Sequence, residues 1–240
     1  MSDMDALHKR FSAAAPRLAE LEESRRDRVR ERLRRLVDPR GDERVLDLGT
    51  GTGALAFAIA PLVREVVGVD MVPQMLEEAR RRGAEFPNVT FVEGDITSLP
   101  EGLGTFDLTA CVRTFHHVPR PELVMAELVR RTLPGGYVLV VDQLAPLDPL
   151  IARELNSFEH ARDPSHTRIL ADVDMRHLFE SNGLVLLRTE FEREEREICS
   201  YLDRAGCEGI DRERALSMAP DHERYEVEIG WYLMRKPGLS

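Results

Sequence analysis

Lysine is nearly absent from this 240-residue chain: Lys9 and Lys236 are the only two, and arginine supplies the rest of its 33 cationic side chains. Against them stand 43 acidic ones, giving a formal net charge of −10. That balance argues against a dedicated nucleic-acid binder, which needs a basic face. Cysteine is scarce too. Cys111, Cys199 and Cys207 form an odd set without a disulfide-framework spacing, so reduced thiols in a cytoplasm are expected. No group of Cys and His has metal-ligand spacing, and no metal is expected. The longest apolar stretch, about Ala54 to Val63, falls far short of the ~20 residues that cross a bilayer. With no signal peptide, internal repeat or low-complexity linker, the expectation is one well-cored unit that is not membrane-bound.

What the chain does have is the run Val45-Leu46-Asp47-Leu48-Gly49-Thr50-Gly51-Thr52-Gly53. An apolar strand turns through three closely spaced glycines and opens into the helical stretch Ala54 to Ala60. Glycine admits positive φ and lets a ligand approach with no Cβ in the way. A helix N-terminus just beyond suits an anionic group. A nucleotide-type ligand is therefore expected at the carboxyl end of this strand. Gly49, Gly51 and Ala54 also satisfy the relaxed dinucleotide fingerprint, so the loop alone leaves the kind of nucleotide open.

Two acids narrow the choice. A carboxylate at Asp47 repels a pyrophosphate about 5 Å away by a few tenths to a few kcal/mol, depending on the local dielectric, and attracts a cation. It can also cap the turn while serving a ligand. Asp70 closes the second strand, Val66 to Asp70, where an acid binds ribose hydroxyls in either cofactor class. The competing role is a cap on the helix that begins near Val72-Pro73.

Further strands read Val89 to Ile96, Phe106 to Arg113 (followed by Thr114-Phe115-His116-His117-Val118-Pro119) and Gly135 to Asp142. Together with the glycine loop, this series over about residues 40 to 145 resembles the class I S-adenosylmethionine-dependent methyltransferases. The likeness is to their type 11, ubiquinone/menaquinone-biosynthesis-like branch. The resemblance implies an α/β fold: a Rossmann-like, seven-stranded, mostly parallel sheet with flanking helices and an antiparallel last strand. It also implies a site. Gly49, Thr50, Gly51, Gly53 and their backbone would face the methionine part of S-adenosylmethionine, with Asp47 near its ammonium. Asp70 would hold the ribose and Met71 would lie against the adenine face. Asp95 would accept from the adenine amino group, with the Ile96 backbone N–H on the ring. The backbone of Cys111 and the side chain of Arg113 would approach the amino-acid end. No metal is required, because alignment and a dry, polar-lined site suffice for in-line methyl transfer. A nicotinamide-dependent oxidoreductase, or a non-catalytic module that keeps the cofactor as a ligand, are the rival readings.

Along the rest of the chain, Arg17 to Val37 reads as a helix whose interleaved Arg and Glu form a solvated face, with Glu22/Arg26 and Glu31/Arg35 at i,i+4 spacing. Residues 1–40 are expected to be an N-terminal helical cap and 41–240 a methyltransferase domain with helical insertions after strands five and six. Helices are expected at about 53–60, 73–82, 121–132, 149–161, 172–182, 195–204 and 211–219, and late strands at 184–193 and 223–234. Three regions could cover the methyl group: the segment around Phe11, the Arg113 to His117 loop and the Arg162 to Thr167 turn. His116, His117 and His166 are the candidate general bases, histidine titrating near neutrality. Each could instead only bond the backbone, and Asp142 could orient an acceptor or anchor a loop. Cys111 reads as a small buried residue. The expected partner is a small-molecule acceptor methylated on oxygen, carbon or nitrogen, and the protein a monomer or homodimer.

Overall fold

Alternation of apolar residues on both sides of each strand, broken by amphipathic helices, folds as strands covered on two faces. The computed structural model describes residues 3–221 and 223–238, the side chains of 3–14 excepted. Five strands run parallel: β1 (Arg44–Leu48), β2 (Glu65–Asp70), β3 (Val89–Glu93), β4 (Phe106–Val112) and β5 (Thr132–Ala145). β6 (Leu170–Ala171) is a two-residue strand beside the end of β5. β7 (Val185–Glu197) and β8 (Arg224–Arg235) pair antiparallel, and β8 lies antiparallel between β5 and β7. The order is β3-β2-β1-β4-β5-β8-β7. The seven long strands agree with the sequence expectation, and β6 is an addition.

Neighbouring residues on each strand serve opposite cores. Val45, Val66, Leu108, Leu139 and Leu233 pack with α1 (Asp3–Leu36), α2 (Ala54–Ile59), α5 (Pro149–Arg162) and α7 (Ile198–Arg204) through Leu33, Leu36, Ile59, Phe158 and Ile198. Leu46, Val67, Val138, Val140 and Tyr232 pack with Met125 and Leu128 of α4 (Pro121–Arg131) and Met175 and Phe179 of α6 (Asp172–Ser181). α3 (Pro73–Arg82) joins β2 to β3, and α8 (Gly209–Met218) precedes β8.

Some boundaries differ from the sequence reading. β3 stops at Glu93, because Asp95 turns the chain by accepting from the Thr97 N–H at 2.8 Å and the Thr97 hydroxyl at 2.7 Å. β7 runs on to Glu197, whose carboxylate then caps α7 by accepting from the N–H groups of Cys199 and Ser200. α1 begins at Asp3 and continues through Pro16, so 3–15 are helix and not a separate segment. The side chain of Phe11, one proposed lid residue, lies outside the described ones. The arginine face of α1 is not merely solvated: Arg28 and Arg32 bond Glu192, Arg32 and Arg35 bond Glu190, and the Arg32 guanidinium lies over Trp231 at 4.6 Å. Arg26 pairs with Glu23, and Glu31 with Arg34, at i,i+3 rather than i,i+4. Two carboxylates on β7 recruit the arginines that local helix pairing would otherwise use.

Candidate cofactor and acceptor site

The strand order reverses between β1 and β4, so their carboxyl ends open a crevice where α/β sheets bind ligands. The loop after β1 fills one lip. Gly49 and Thr50 donate to the Val69 carbonyl at 2.8 and 3.0 Å, and Gly49, Gly51 and Gly53 take φ of 72°, 54° and 92°. A Cβ on Gly49 would strike Thr114 at 2.5 Å, and one on Gly53 would strike Phe57 at 2.5 Å. At Gly51 a Cβ would meet nothing within 4 Å. Two glycines are thus required by packing, while the third keeps open the space above the loop. α2 has only six residues, so its dipole adds less to the site than the sequence pattern suggests.

Asp47 is 1% exposed. Its Oδ2 accepts from the Thr50 hydroxyl at 2.7 Å, and its Oδ1 has no hydrogen-bond partner. Burial, with smaller repulsions from Asp70 and Glu22, pushes its pKa up to about 7 against the pull of Thr50 and the Ala56 backbone. A buried acceptor without a donor costs about 1–3 kcal/mol, a cost that a cation or donor placed there would remove. Asp70 Oδ2 accepts from Gly51 N–H at 2.8 Å and Oδ1 from Val72 N–H at 2.9 Å. It therefore caps α3 and braces the glycine loop together. The Gly94 N–H donates to the Asp70 carbonyl at 3.0 Å, which brings the turn carrying Asp95 beside it. Asp95 is exposed, Ile96 is buried, and Met71 packs against the cluster of Ala15, Val72 and Met75.

Across the crevice, Cys111 is fully buried. Burial, and smaller repulsions from Asp142 and Asp47, raise its thiol well above the ordinary range, which suits a packing residue rather than a nucleophile. Arg113 adopts a positive φ of 53°, sparsely populated for a non-glycine residue. Its N–H donates to the Val141 carbonyl at 2.7 Å, and its guanidinium bonds Glu194 at 2.6 Å. Burial opposes ionisation of Glu194, but Arg113, Arg196 and Arg25 outweigh it and hold the pKa at about 2.

The three candidate histidines come together. The His116 ring lies 4.2 Å from His117 and 5.8 Å from His166, centroid to centroid. His116 Nδ1 is 2.5 Å from Asp142 Oδ1, and its backbone N–H donates to Asp142 Oδ2 at 3.2 Å. Asp142 is buried, which opposes its charge, yet His116 and the Gln143 N–H lower its pKa overall. An ionised Asp142 accepts from the Nδ1–H, which fixes the orientation of the His116 ring. The Ser165 hydroxyl donates to Asp163 at 2.6 Å, so His117 Nδ1 is the donor toward Ser165, at 3.1 Å to Oγ and 3.2 Å to the carbonyl. Asn156 is oriented by donating to the Ala152 carbonyl, so its Oδ1 accepts from His166 Nε2 at 3.1 Å. Burial first, then repulsion by His116, lowers His117 to about 3 and His166 to about 4. Both are neutral and weakly basic at pH 7.

Behind this cluster lies a buried network that the sequence reading did not find. Glu159 accepts from Arg162 Nε (2.9 Å), Arg196 Nη1 (3.2 Å), Tyr201 OH (2.9 Å) and Tyr225 OH (3.0 Å). Its members come from α5, β7, α7 and β8, so only tertiary structure assembles them. Among the described residues no group of three or more His, Cys, Asp and Glu could hold a metal, and no helix is long and apolar enough to cross a membrane.

A Rossmann-like sheet with acids and a glycine loop at its switch point is an arrangement that suits a nucleoside cofactor. Residues 45–136 match the family model described as a methyltransferase domain. The chain is 36% identical over 149 residues to the "uncharacterized methyltransferase YcgJ" of Bacillus subtilis, a match covering 60% of this chain and 58% of that one. It is 34% identical over 137 residues to a demethylmenaquinone methyltransferase of Clavibacter sepedonicus, covering 57% and 56%. The match thus spans less than two thirds of either relative's length. The crystal structure of YcgJ aligns with a TM-score of 0.82 at 25% identity, over 88% of this chain and 99% of that one. Residues 45–136 thus carry a methyltransferase domain and the chain shares the fold of the YcgJ structure, which implies S-adenosylmethionine as the cofactor. The donor set fits that cofactor: the unpartnered Asp47 Oδ1 suits its ammonium, and the open space at Gly51 admits it.

Proposed function

We propose that this chain moves the methyl group of S-adenosylmethionine to a small, hydroxyl-bearing aromatic acceptor, with His116 as general base oriented by Asp142. The observation that carries the reading is the His116–Asp142 pair at 2.5 Å, beside two histidines that burial keeps neutral. Asp47 and the glycine loop hold the amino-acid end of the cofactor, Asp70 the ribose, Met71 and Ile96 the adenine ring, and Asp95 its amino group. When bound, the cofactor supplies an electrophilic methyl group. Asp142 holds the His116 ring in place and stabilises the imidazolium formed when Nε2 takes the acceptor's proton. Phe115, Leu170 and Met175, all buried, pack beside the dyad together with the polar Gln143 and Arg168. The demethylmenaquinone methyltransferase relatives point to the same acceptor class. Asp47 speaks against a nicotinamide cofactor, since its carboxylate faces where a pyrophosphate would lie. Residues 1–40 act as a cap on the 41–240 domain, and the protein works in a reducing cytoplasm as a monomer or homodimer, on no nucleic acid.

The test is a methyl-transfer assay across hydroquinones and phenols, with the wild type, His116→Asn and Asp142→Asn. We expect kcat to fall about 10²–10⁴-fold for the histidine variant, with cofactor affinity retained. Turnover unaffected by His116→Asn removes the general base from the mechanism.

A further inference from the structure

Glu22 is partly buried and lies on the same stripe of α1 as Leu18, one turn before it, and Ala15, two turns before it. Its Oε2 accepts from the Thr52 hydroxyl of the glycine loop, and the Arg82 guanidinium of α3 stands 3.7 Å away. Arg82 also contacts Glu23 at 3.4 Å and the Thr52 carbonyl at 3.2 Å, so its charge is shared. Asp47 accepts from Thr50 of the same loop through Oδ2, with Oδ1 buried and lacking a donor. Glu22 and Asp70 both act electrostatically on Asp47, and Arg113 acts on Glu22. Carboxylates from three elements therefore converge on the part of the loop assigned to the methionine end, and one of their buried oxygens is unsatisfied.

We infer that Glu22 is a cofactor-binding residue, carried onto the glycine loop by the N-terminal helix so that it and Asp47 together receive the ammonium of S-adenosylmethionine. The inference rests on the cofactor reading above. It also gives α1 a binding role beyond its hydrogen bond with Thr52. Burial pushes Glu22 up to about 7 against the pulls of Thr52, Arg82 and Arg113. An arriving ammonium favours the ionised form, so binding near pH 7 releases protons.

The experiment is calorimetry on the full chain at pH 7, using S-adenosylhomocysteine and 5′-methylthioadenosine. The second ligand keeps the nucleoside and thioether but lacks the amino-acid end. Glu22→Gln preserves size and still accepts from Thr52. The variant is expected to bind S-adenosylhomocysteine about tenfold or more weakly, to bind methylthioadenosine within twofold of the wild type, and to release fewer protons in buffers of differing ionisation enthalpy. Equal weakening of both ligands with a lowered Tm would make Glu22 a helix anchor and overturn the inference. Unchanged S-adenosylhomocysteine affinity would overturn it as well. A wild type that binds neither ligand defeats the cofactor reading itself, a result distinct from either.

Discussion

Replacing Glu159 with alanine should strip the buried network behind the histidines of its central anion. Glu159 is 1% exposed and is the shared acceptor of Arg162, Arg196, Tyr201 and Tyr225. Burial raises its pKa, but Arg162 and Arg196 outweigh burial and hold it at about 2, against 4.5 for the free group. That depression corresponds to about 3 kcal/mol of stability. The sign follows from its direction: the contribution is complete above the unfolded pKa near 4.5 and disappears as pH falls toward about 2. Removal also takes from two buried guanidinium groups their shared carboxylate, leaving Arg196 with Glu194 at 3.3 Å and Arg162 with Asp163 at 3.8 Å; breaking a buried pair costs up to about 3–5 kcal/mol. Domains of this kind are stable by only about 5–15 kcal/mol. Urea unfolding of Glu159→Ala and Glu159→Gln at pH 7 should therefore show losses of that size, shrinking as the wild type is taken toward pH 2. A loss under about 1 kcal/mol at pH 7, or one independent of pH, would refute the claim that this carboxylate is held ionised by its arginines.

Three further outcomes follow from the geometry. Asp47 has its pKa raised to about 7 from 3.8, so ligand-free stability should fall between about pH 4 and 7, by on the order of 4 kcal/mol; Asp47→Asn should remove this fall, raising Tm at pH 8 while weakening S-adenosylhomocysteine binding in calorimetry. Gly51→Ala meets no atom, so it should cost only about 1–2 kcal/mol for its positive φ yet weaken cofactor binding. Gly53→Ala drives a methyl into Phe57 and should lower Tm further, as paired thermal melts would show.

The seven long strands were legible because apolar runs alternate with amphipathic helices, and the glycine loop because three glycines follow an acid-bearing strand. Pro121 and Gly183 marked a helix start and a helix stop that the structure places within two residues of those positions. The convergence of His116, His117 and His166 was not legible, since nothing local ties the loop after β4 to the turn after α5; the Thr167 N–H to His116 carbonyl bond does so. Glu22 was read as half of a helical ion pair. Its position on the same stripe as Ala15 and Leu18 was the available signal, masked by the surrounding charges. The Glu159 network joins residues up to 66 positions apart in sequence, from Glu159 to Tyr225, and no periodicity encodes that.

The most direct measurement is calorimetric titration of S-adenosylhomocysteine into the wild type, Asp70→Ala and Asp95→Ala. One-to-one binding to the wild type, weakened in both variants, is the predicted result. Absence of binding, or the same affinity in all three proteins, would contradict the pocket at the ends of β1, β2 and β3.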